Sequence, residues 1–212
     1  MRKSLIIFLC ILAPALALAA EDDINYSMSL KVWNHRYFSD LGGPSTRSER
    51  VNAPVISGSI RYKNYSFTAS SLINTTYAFP ENKLSSTYAS YATRSDTDWA
   101  VGYTLWDKFT PIVGNKVITS DDVSTLTIPF LGLSGFLPIN DQSYISGTLA
   151  YSNMAKGVEG STENANYSMY DLTYSRSVYQ NTFVNIGWRT QTFSKSYTQL
   201  IGGIVAGVSF NF

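Results

Sequence analysis

The sequence predicts an all-β protein, a transmembrane antiparallel up-and-down β-barrel of ten strands. Most of the chain beyond residue 20 alternates between apolar and polar side chains, which is the period of a strand with one greasy face. The chain combines 15 tyrosines and 11 phenylalanines with abundant Ser, Thr and Asn, as a barrel with aromatic girdles requires. Beyond the amino-terminal leader, no segment is apolar for the ~20 residues that a membrane-spanning helix needs.

The first 20 residues have the features of a cleaved signal peptide. A basic start at residues 1–3 precedes the apolar run 5–12, and Ala17 and Ala19 provide the small residues that a signal peptidase reads. We therefore expect residues 21–212 to form a single barrel domain. The alternative, a membrane anchor, would need a longer apolar run. Cys10 lies in the leader, so the mature chain has no cysteine for disulfides or thiolate chemistry.

The charge balance excludes some classes of partner. The chain has 16 basic and 15 acidic residues, and removal of Arg2 and Lys3 with the leader leaves it close to neutral. A nucleic-acid partner would need a strongly basic face, so none is expected. The sequence contains no zinc spacing, phosphate loop or dinucleotide fingerprint, and we expect no metal and no cofactor.

The first five predicted strands are read from the alternation. Strand one begins at Asn25, and strand two turns at Lys63-Asn64 into a weaker strand three over residues 65–73. Strand four ends at a turn containing Asp107-Lys108, and strand five, also weak, covers residues 109–118. The outward positions are Tyr26, Met28, Leu30 and Val32; Ile56, Gly58, Ile60 and Tyr62; Phe67, Ala69, Ser71 and Ile73; Trp99, Val101, Tyr103 and Leu105; Val113 and Val117.

The remaining strands follow the same pattern. Strand six, residues 126–137, loses its alternation near Pro129, which predicts a bulge because proline cannot donate to the sheet. Strands seven, eight and nine are followed by a closing strand at the carboxyl terminus. Loss of weak strands three and five would leave eight strands as the alternative. The outward positions of strands seven to nine are Ile145, Gly147, Leu149 and Tyr151; Tyr170, Leu172 and Tyr174; Val184, Ile186 and Trp188.

The last eleven residues, GGIVAGVSFNF, carry a resemblance to a known class of protein. Their apolar set ends on Phe-x-Phe at the terminus and consists of Ile204, Ala206, Val208, Phe210 and Phe212. This strand resembles the closing strand of small Gram-negative outer-membrane β-barrels. The resemblance implies location in the bacterial outer membrane, contact with its lipid, and recognition of these five residues by the barrel-assembly machinery.

The connections between strands have unequal lengths. They are short after strands two, four, six and eight, and long after one, three and seven, while those after five and nine are ambiguous. This asymmetry is typical of barrels with short periplasmic turns and long external loops. We expect residues 39–52 and 75–96 to be the main external loops.

Side-chain chemistry assigns two faces to the predicted wall. The outer face has girdle aromatics, because amphipathic rings prefer the membrane interface; they are Tyr62, Trp99, Tyr103, Tyr151, Tyr170, Tyr174, Trp188 and Phe210. The lumen receives the charged side chains that lipid excludes; they are Lys31, Arg61, Lys116, Asp171 and Arg189. A soluble β-sandwich or lipocalin-like barrel would instead hide the aromatic face in a core.

Three functions follow from this interpretation. The favoured one is a structural or surface-interaction role through the external loops, with an extracellular ligand that the sequence does not identify. A narrow pore for small anions is the alternative, since the lumen residues are mostly basic. An enzyme is third and disfavoured, because His35, the one histidine, lacks the His-x-Ser pair of lipid-A deacylases, and omptin-type proteases need an Asp-His pair on a longer chain.

Overall fold

The computed structural model describes residues 24–40, 46–79, 91–120, 125–157, 165–194 and 198–212, and the structure of these residues is entirely β. Within these ranges, ten long strands and one two-residue strand follow one another. They are β1 (Ile24–Asp40), β2 (Thr46–Arg47), β3 (Val51–Tyr62), β4 (Tyr65–Ala78), β5 (Tyr91–Tyr103), β6 (Phe109–Ser120), β7 (Leu126–Asn140), β8 (Ser143–Gly157), β9 (Ala165–Tyr179), β10 (Thr182–Ser194) and β11 (Thr198–Asn211).

The ten long strands close into one antiparallel barrel. Each pairs with its neighbour along the chain, apart from short β2, and β11 returns to pair with β1 over residues 27–40 and 198–211. At the end of this seam, the Tyr26 N–H donates to the Phe212 carbonyl at 3.1 Å, and the Phe212 N–H donates to the Tyr26 carbonyl at 2.8 Å. The predicted fold class and the count of ten strands are confirmed.

Large apolar side chains form the outer surface of this barrel. Trp99, Tyr103, Leu149 and Trp188 are 45%, 42%, 52% and 53% exposed, so they share no dry interior and the soluble alternative is wrong. The inward positions are occupied by small, polar and charged residues together with buried apolar clusters. An apolar exterior around a filled interior is the arrangement that a hydrocarbon solvent favours.

Four tight connections occupy one end of the barrel. They follow β3, β5, β7 and β9, as predicted, and three of them place residues in the left-handed backbone region. These residues are Lys63 (φ 52°), Trp106 (φ 50°), Asp107 (φ 57°) and Gln180 (φ 32°). Both ends of the barrel chain, Ile24 and Phe212, lie at this same end.

The strands extend further than the sequence predicted at the opposite end. Residues 75–78 and 91–96 belong to β4 and β5, and residues 39–40 and 51–52 belong to β1 and β3, so the expected loops 39–52 and 75–96 are shorter. Their central parts, 41–45 and 80–90, lie outside the described residues. The short strand β2, which pairs with Phe38 and Ser39, was not predicted.

The bulge expected near Pro129 is present. Pairing between β7 and β8 loses its register between Thr127 and Leu131, the segment that contains this proline. In the described part of the chain, no helix has the length and apolar character needed to cross a membrane.

Candidate functional site in the barrel lumen

A group of four charged residues, of which three are buried and Asp98 is partly buried, lies inside the barrel wall formed by β5 and β6. Arg94 Nε lies 2.6 Å from Asp96 Oδ1, and Lys116 Nζ lies 3.1 Å from Asp96 Oδ2 and 3.2 Å from Asp98 Oδ2. The Ser70 hydroxyl donates to Asp98 Oδ1 at 2.9 Å. We call Arg94, Asp96, Asp98 and Lys116 the Asp96 network.

The local sequence explains how this network forms. Arg94, Asp96 and Asp98 alternate along β5, so all three side chains point inward from one strand. Lys116 pairs with Asp98 across the β5–β6 ladder, which brings its ammonium group between the two carboxylates. Two positive and two negative charges therefore balance within the network.

One contact of the network spans the lumen. Arg94 Nη2 donates to Gln191 Oε1 at 3.0 Å, and Gln191 lies on β10. In the closed order of ten strands, β5 and β10 are five strands apart and lie on opposite walls. Because these two buried side chains meet across the barrel, no straight path along the lumen passes between them.

A second ionic group connects β9 and β10. Arg189 Nε lies 2.6 Å from Asp171 Oδ2, the Thr173 hydroxyl donates to Asp171 Oδ1 at 2.9 Å, and the guanidinium of Arg189 lies 5.8 Å from the ring centre of Trp33. The Arg189 charge is thereby neutralised beside its neighbouring strand. We call Asp171 and Arg189 the Asp171 pair.

Apolar side chains fill the space around these charges. One cluster joins β1, β3, β4 and β11 and consists of Trp33, Ala53, Val55, Leu72, Ile201 and Val205. A second joins β6, β7, β9 and β10 and consists of Ile118, Leu126, Ile128, Tyr167 and Phe193, and a smaller third consists of Ala100, Phe130 and Ala150. The two larger clusters approach from opposite sides of the barrel and bury their side chains in the lumen, as expected of a narrow barrel whose interior is filled by side chains.

His35 lies in an aromatic environment. Its ring stacks on Trp33 at 4.2 Å between ring centres, its Nδ1 is 2.9 Å from the Trp33 carbonyl, and its Nε2 is 2.7 Å from the Tyr77 hydroxyl. The side chain is fully buried. Both ring nitrogens are used by the backbone and a phenol, so the arrangement lacks the histidine–carboxylate pair of a general base.

The five predicted lumen charges lie at different places in this interior. Lys116 belongs to the Asp96 network, and Asp171 and Arg189 form the Asp171 pair. Lys31 points inward from β1, where it pairs in register with Gly207 and Val55 and lies within electrostatic range of the Asp171 pair. Arg61 lies near the turn after β3 with its Nε donating to the Lys63 carbonyl at 3.1 Å, so the structure does not bring it to the others.

Sequence reasoning missed the members of the Asp96 network that β5 contributes. Arg94 and Asp96 fall within residues 75–96, which the sequence predicts as a loop, and Asp98 directly precedes Trp99, the first outward residue of predicted strand four. The spacing was the available signal. Residues 94, 96 and 98 all lie on the face opposite Trp99 and Val101, so they extend the alternation of this strand toward its amino terminus.

The predicted girdle and assembly residues lie on outward positions of the strands. Tyr103 stacks edge-on with Tyr65 at 5.1 Å, and Trp188 Nε1 donates to Thr190 Oγ1 at 2.7 Å. On β11, residues 204, 206, 208 and 210 pair with residues 34, 32, 30 and 28 of β1, so the closing strand forms the barrel seam. Within the described residues, no three His, Cys, Asp or Glu side chains come together as a metal site.

Comparison with known proteins shows the fold. No family model matches the chain, and no curated protein matches it. Among solved structures, the outer membrane protease OmpT from Escherichia coli is similar with a TM-score of 0.54 and 13% identity, over 91% of this chain and 98% of that one. The translocator domain of the autotransporter NalP from Neisseria meningitidis has a TM-score of 0.47 and 11% identity, over 99% and 96%. The likeness to the protease supports a shared barrel architecture alone.

Proposed function

We propose that this chain is an integral β-barrel of the bacterial outer membrane with a structural or surface-interaction role. Its external end, which includes residues 39–52 and 75–96, makes the contacts. The observation that carries the proposal is the Arg94–Gln191 hydrogen bond across the lumen. A barrel closed by that contact and by two apolar clusters is a rigid scaffold, and function then belongs to what the scaffold holds at its ends.

A narrow anion pore is the second candidate, and the charges of the lumen weigh against it. Selectivity for anions requires unneutralised cations at a water-filled constriction. Here Arg94, Lys116 and Arg189 each lie within 3.2 Å of a carboxylate oxygen. The paired charges and the filled interior support a plug rather than a selectivity filter.

Conductance in planar bilayers tests the closed lumen. We expect the purified wild-type barrel to give no discrete steps, because a path for hydrated ions would have to break the Arg94–Gln191 contact. The double substitution Arg94→Ala/Gln191→Ala removes both side chains that meet across the barrel, and conductance steps in this variant but not in the wild type would locate the closure at this contact rather than at the apolar clusters. Steps in the wild type that disappear when Arg61 and Arg189 are neutralised would contradict the proposal and favour the pore.

An enzymatic role is not proposed for the barrel. OmpT is a protease, but His35 of this chain contacts Tyr77 and a backbone carbonyl, which supports a structural use of the histidine. We expect cells that carry His35→Ala to have the same lipid-A profile by mass spectrometry as cells with the wild-type chain. A change in the profile that follows His35→Ala but not Tyr77→Phe would support catalysis instead.

A further inference from the structure

A cavity of about 330 Å³ opens on the outer face of the barrel wall, away from the lumen. It lies where β10, β11, β1 and β2 adjoin, and three arginines line it: Arg36, Arg47 and Arg50. The remaining wall is largely apolar and contains Phe38, Trp188 and Leu200. We call this cavity the arginine pocket.

The three guanidinium groups have incomplete partners. Arg36 Nε is shielded from solvent and has no hydrogen-bond partner. Arg47 lies over the Phe38 ring at 5.1 Å, and Arg50 Nη1 donates to Asn34 Oδ1 at 2.9 Å. Among the residues that the structure describes, none of the three has a carboxylate within ion-pair distance. A shielded donor without an acceptor is costly, and Arg36 shares the pocket with two exposed arginines, Arg47 and Arg50, so the pocket favours an anion.

The position along the strands places this pocket at the membrane surface. Trp188, an outward aromatic, pairs in register with Ile204, which pairs with Asn34. Two residues further along these strands, away from the short turns, Thr190 pairs with Gly202, and Gly202 pairs with Arg36. Amphipathic aromatic rings mark the headgroup level, so Arg36 lies about 7 Å further along its strand than that level.

Shape also favours a lipid as the occupant. Gly202 faces the pocket without a side chain, and a Cβ there would lie 3.2 Å from Thr190 Oγ1. Below the pocket, the wall continues as exposed apolar residues, with Val32, Ile186 and Ile204 each 45–56% exposed. An occupant with a doubly charged head and hydrocarbon chains would place the head among the arginines and its chains along this wall.

From these features we propose that the arginine pocket binds the phosphate groups of a phosphorylated glycolipid in the outer leaflet of the membrane. Arginine forks pair bidentately with phosphate oxygens, and three forks match a headgroup with two phosphates. The Arg36 Nε then gains the acceptor that the chain does not supply. The inference rests on the proposed outer-membrane location.

Native mass spectrometry of the full chain in detergent tests the pocket, with bisphosphorylated lipid A as the probe. We expect the wild type to retain the lipid, and Arg36→Gln/Arg47→Gln/Arg50→Gln to weaken retention by about 30-fold or more, since charge-assisted bonds are the strong ones. Gly202→Leu, which keeps all three charges but fills the cavity, should also weaken it. The matched control is Arg176→Gln, an exposed arginine on β9 near the short-turn end, which should bind as the wild type does.

The outcomes distinguish a lipid phosphate from a free phosphate, and they distinguish failure of the pocket from failure of the proposed membrane location. Equal retention by the triple variant and the wild type would overturn the inference, provided that both show the same heat-modifiable gel shift of a folded barrel. Displacement of the lipid by an equal concentration of pyrophosphate, or equal retention of dephosphorylated lipid A, would also overturn it. A chain that stays soluble without detergent would instead refute the membrane location, independently of the pocket.

Discussion

Replacement of Lys116 by methionine should lower the free energy of unfolding by about 3–5 kcal/mol, because the buried Asp96 loses one of its two counter-ions and the partly buried Asp98 loses its ion-pair partner. Lys116 is 1% exposed, and its ammonium group lies between Asp96 and Asp98. Methionine retains most of the aliphatic stem, so packing changes little. Asp96 still has Arg94, whereas Asp98 retains only the Ser70 hydroxyl among its described contacts.

Urea unfolding of the barrel in lipid vesicles, followed by tryptophan fluorescence, measures this effect. Lys108→Met in the exposed turn after β5 is the matched control and should change the free energy of unfolding by less than about 0.5 kcal/mol. Adding Asp98→Asn to Lys116→Met should restore part of the loss, since the unpaired charge is then removed. Independent, additive effects of the two substitutions would mean that the ion pair does not stabilise the barrel.

The middle of each strand could be predicted from sequence because the two sides of the wall meet different solvents. At Trp99, Val101 and Tyr103 the outward residues are apolar, while Ala100 and Gly102 between them are small. Hydrocarbon outside and a crowded, partly polar lumen inside impose this contrast at every second position. The effect of a proline in a strand is also predictable from sequence. Pro129 has no N–H to donate, so it disrupts the hydrogen-bond ladder in any sheet position.

The ends of the strands opposite the short turns were not predictable in the same way. At residues 75–77 and 93–95 of β4 and β5, inward and outward positions are both polar or aromatic, so no contrast marks a strand. The inward side chains of Thr75 and Tyr77 are nonetheless buried. Strand pairing continues there because the interior packs these groups, a tertiary effect that local alternation does not contain.

The partners across the lumen depend on closure and register. Arg94 and Gln191 are 97 residues apart, and nothing in either local sequence indicates the other. Their contact follows from the number of strands and from pairing along each ladder. The charges in the lumen were therefore predictable as a class, while the pairing that neutralises them required the structure.

Gly203→Ala should destabilise the barrel by about 3 kcal/mol or more, because the added methyl group collides with the backbone of the neighbouring strand at the seam. Gly203 pairs with His35 across the β1–β11 ladder. A Cβ at this position would contact the Asn34 carbonyl oxygen and lie 2.5 Å from His35 Cα and 2.8 Å from the Asn34 carbonyl carbon. Backbone atoms cannot move aside as a flexible side chain can, so β1 and β11 would have to separate where the cylinder closes.

The same chemical change at Gly58 provides the control, since a Cβ there would lie 3.6 Å from the Ser27 carbonyl oxygen, an ordinary contact. Gly58→Ala should change the free energy of unfolding by less than about 1 kcal/mol, in either direction. Refolding into vesicles, with the heat-modifiable gel shift as the measure of closed barrel, should give a reduced folded fraction for Gly203→Ala and a normal one for Gly58→Ala. Equal folded fractions and equal urea midpoints would show that the seam tolerates a side chain at residue 203, and the close approach of β1 and β11 would then not be what requires glycine.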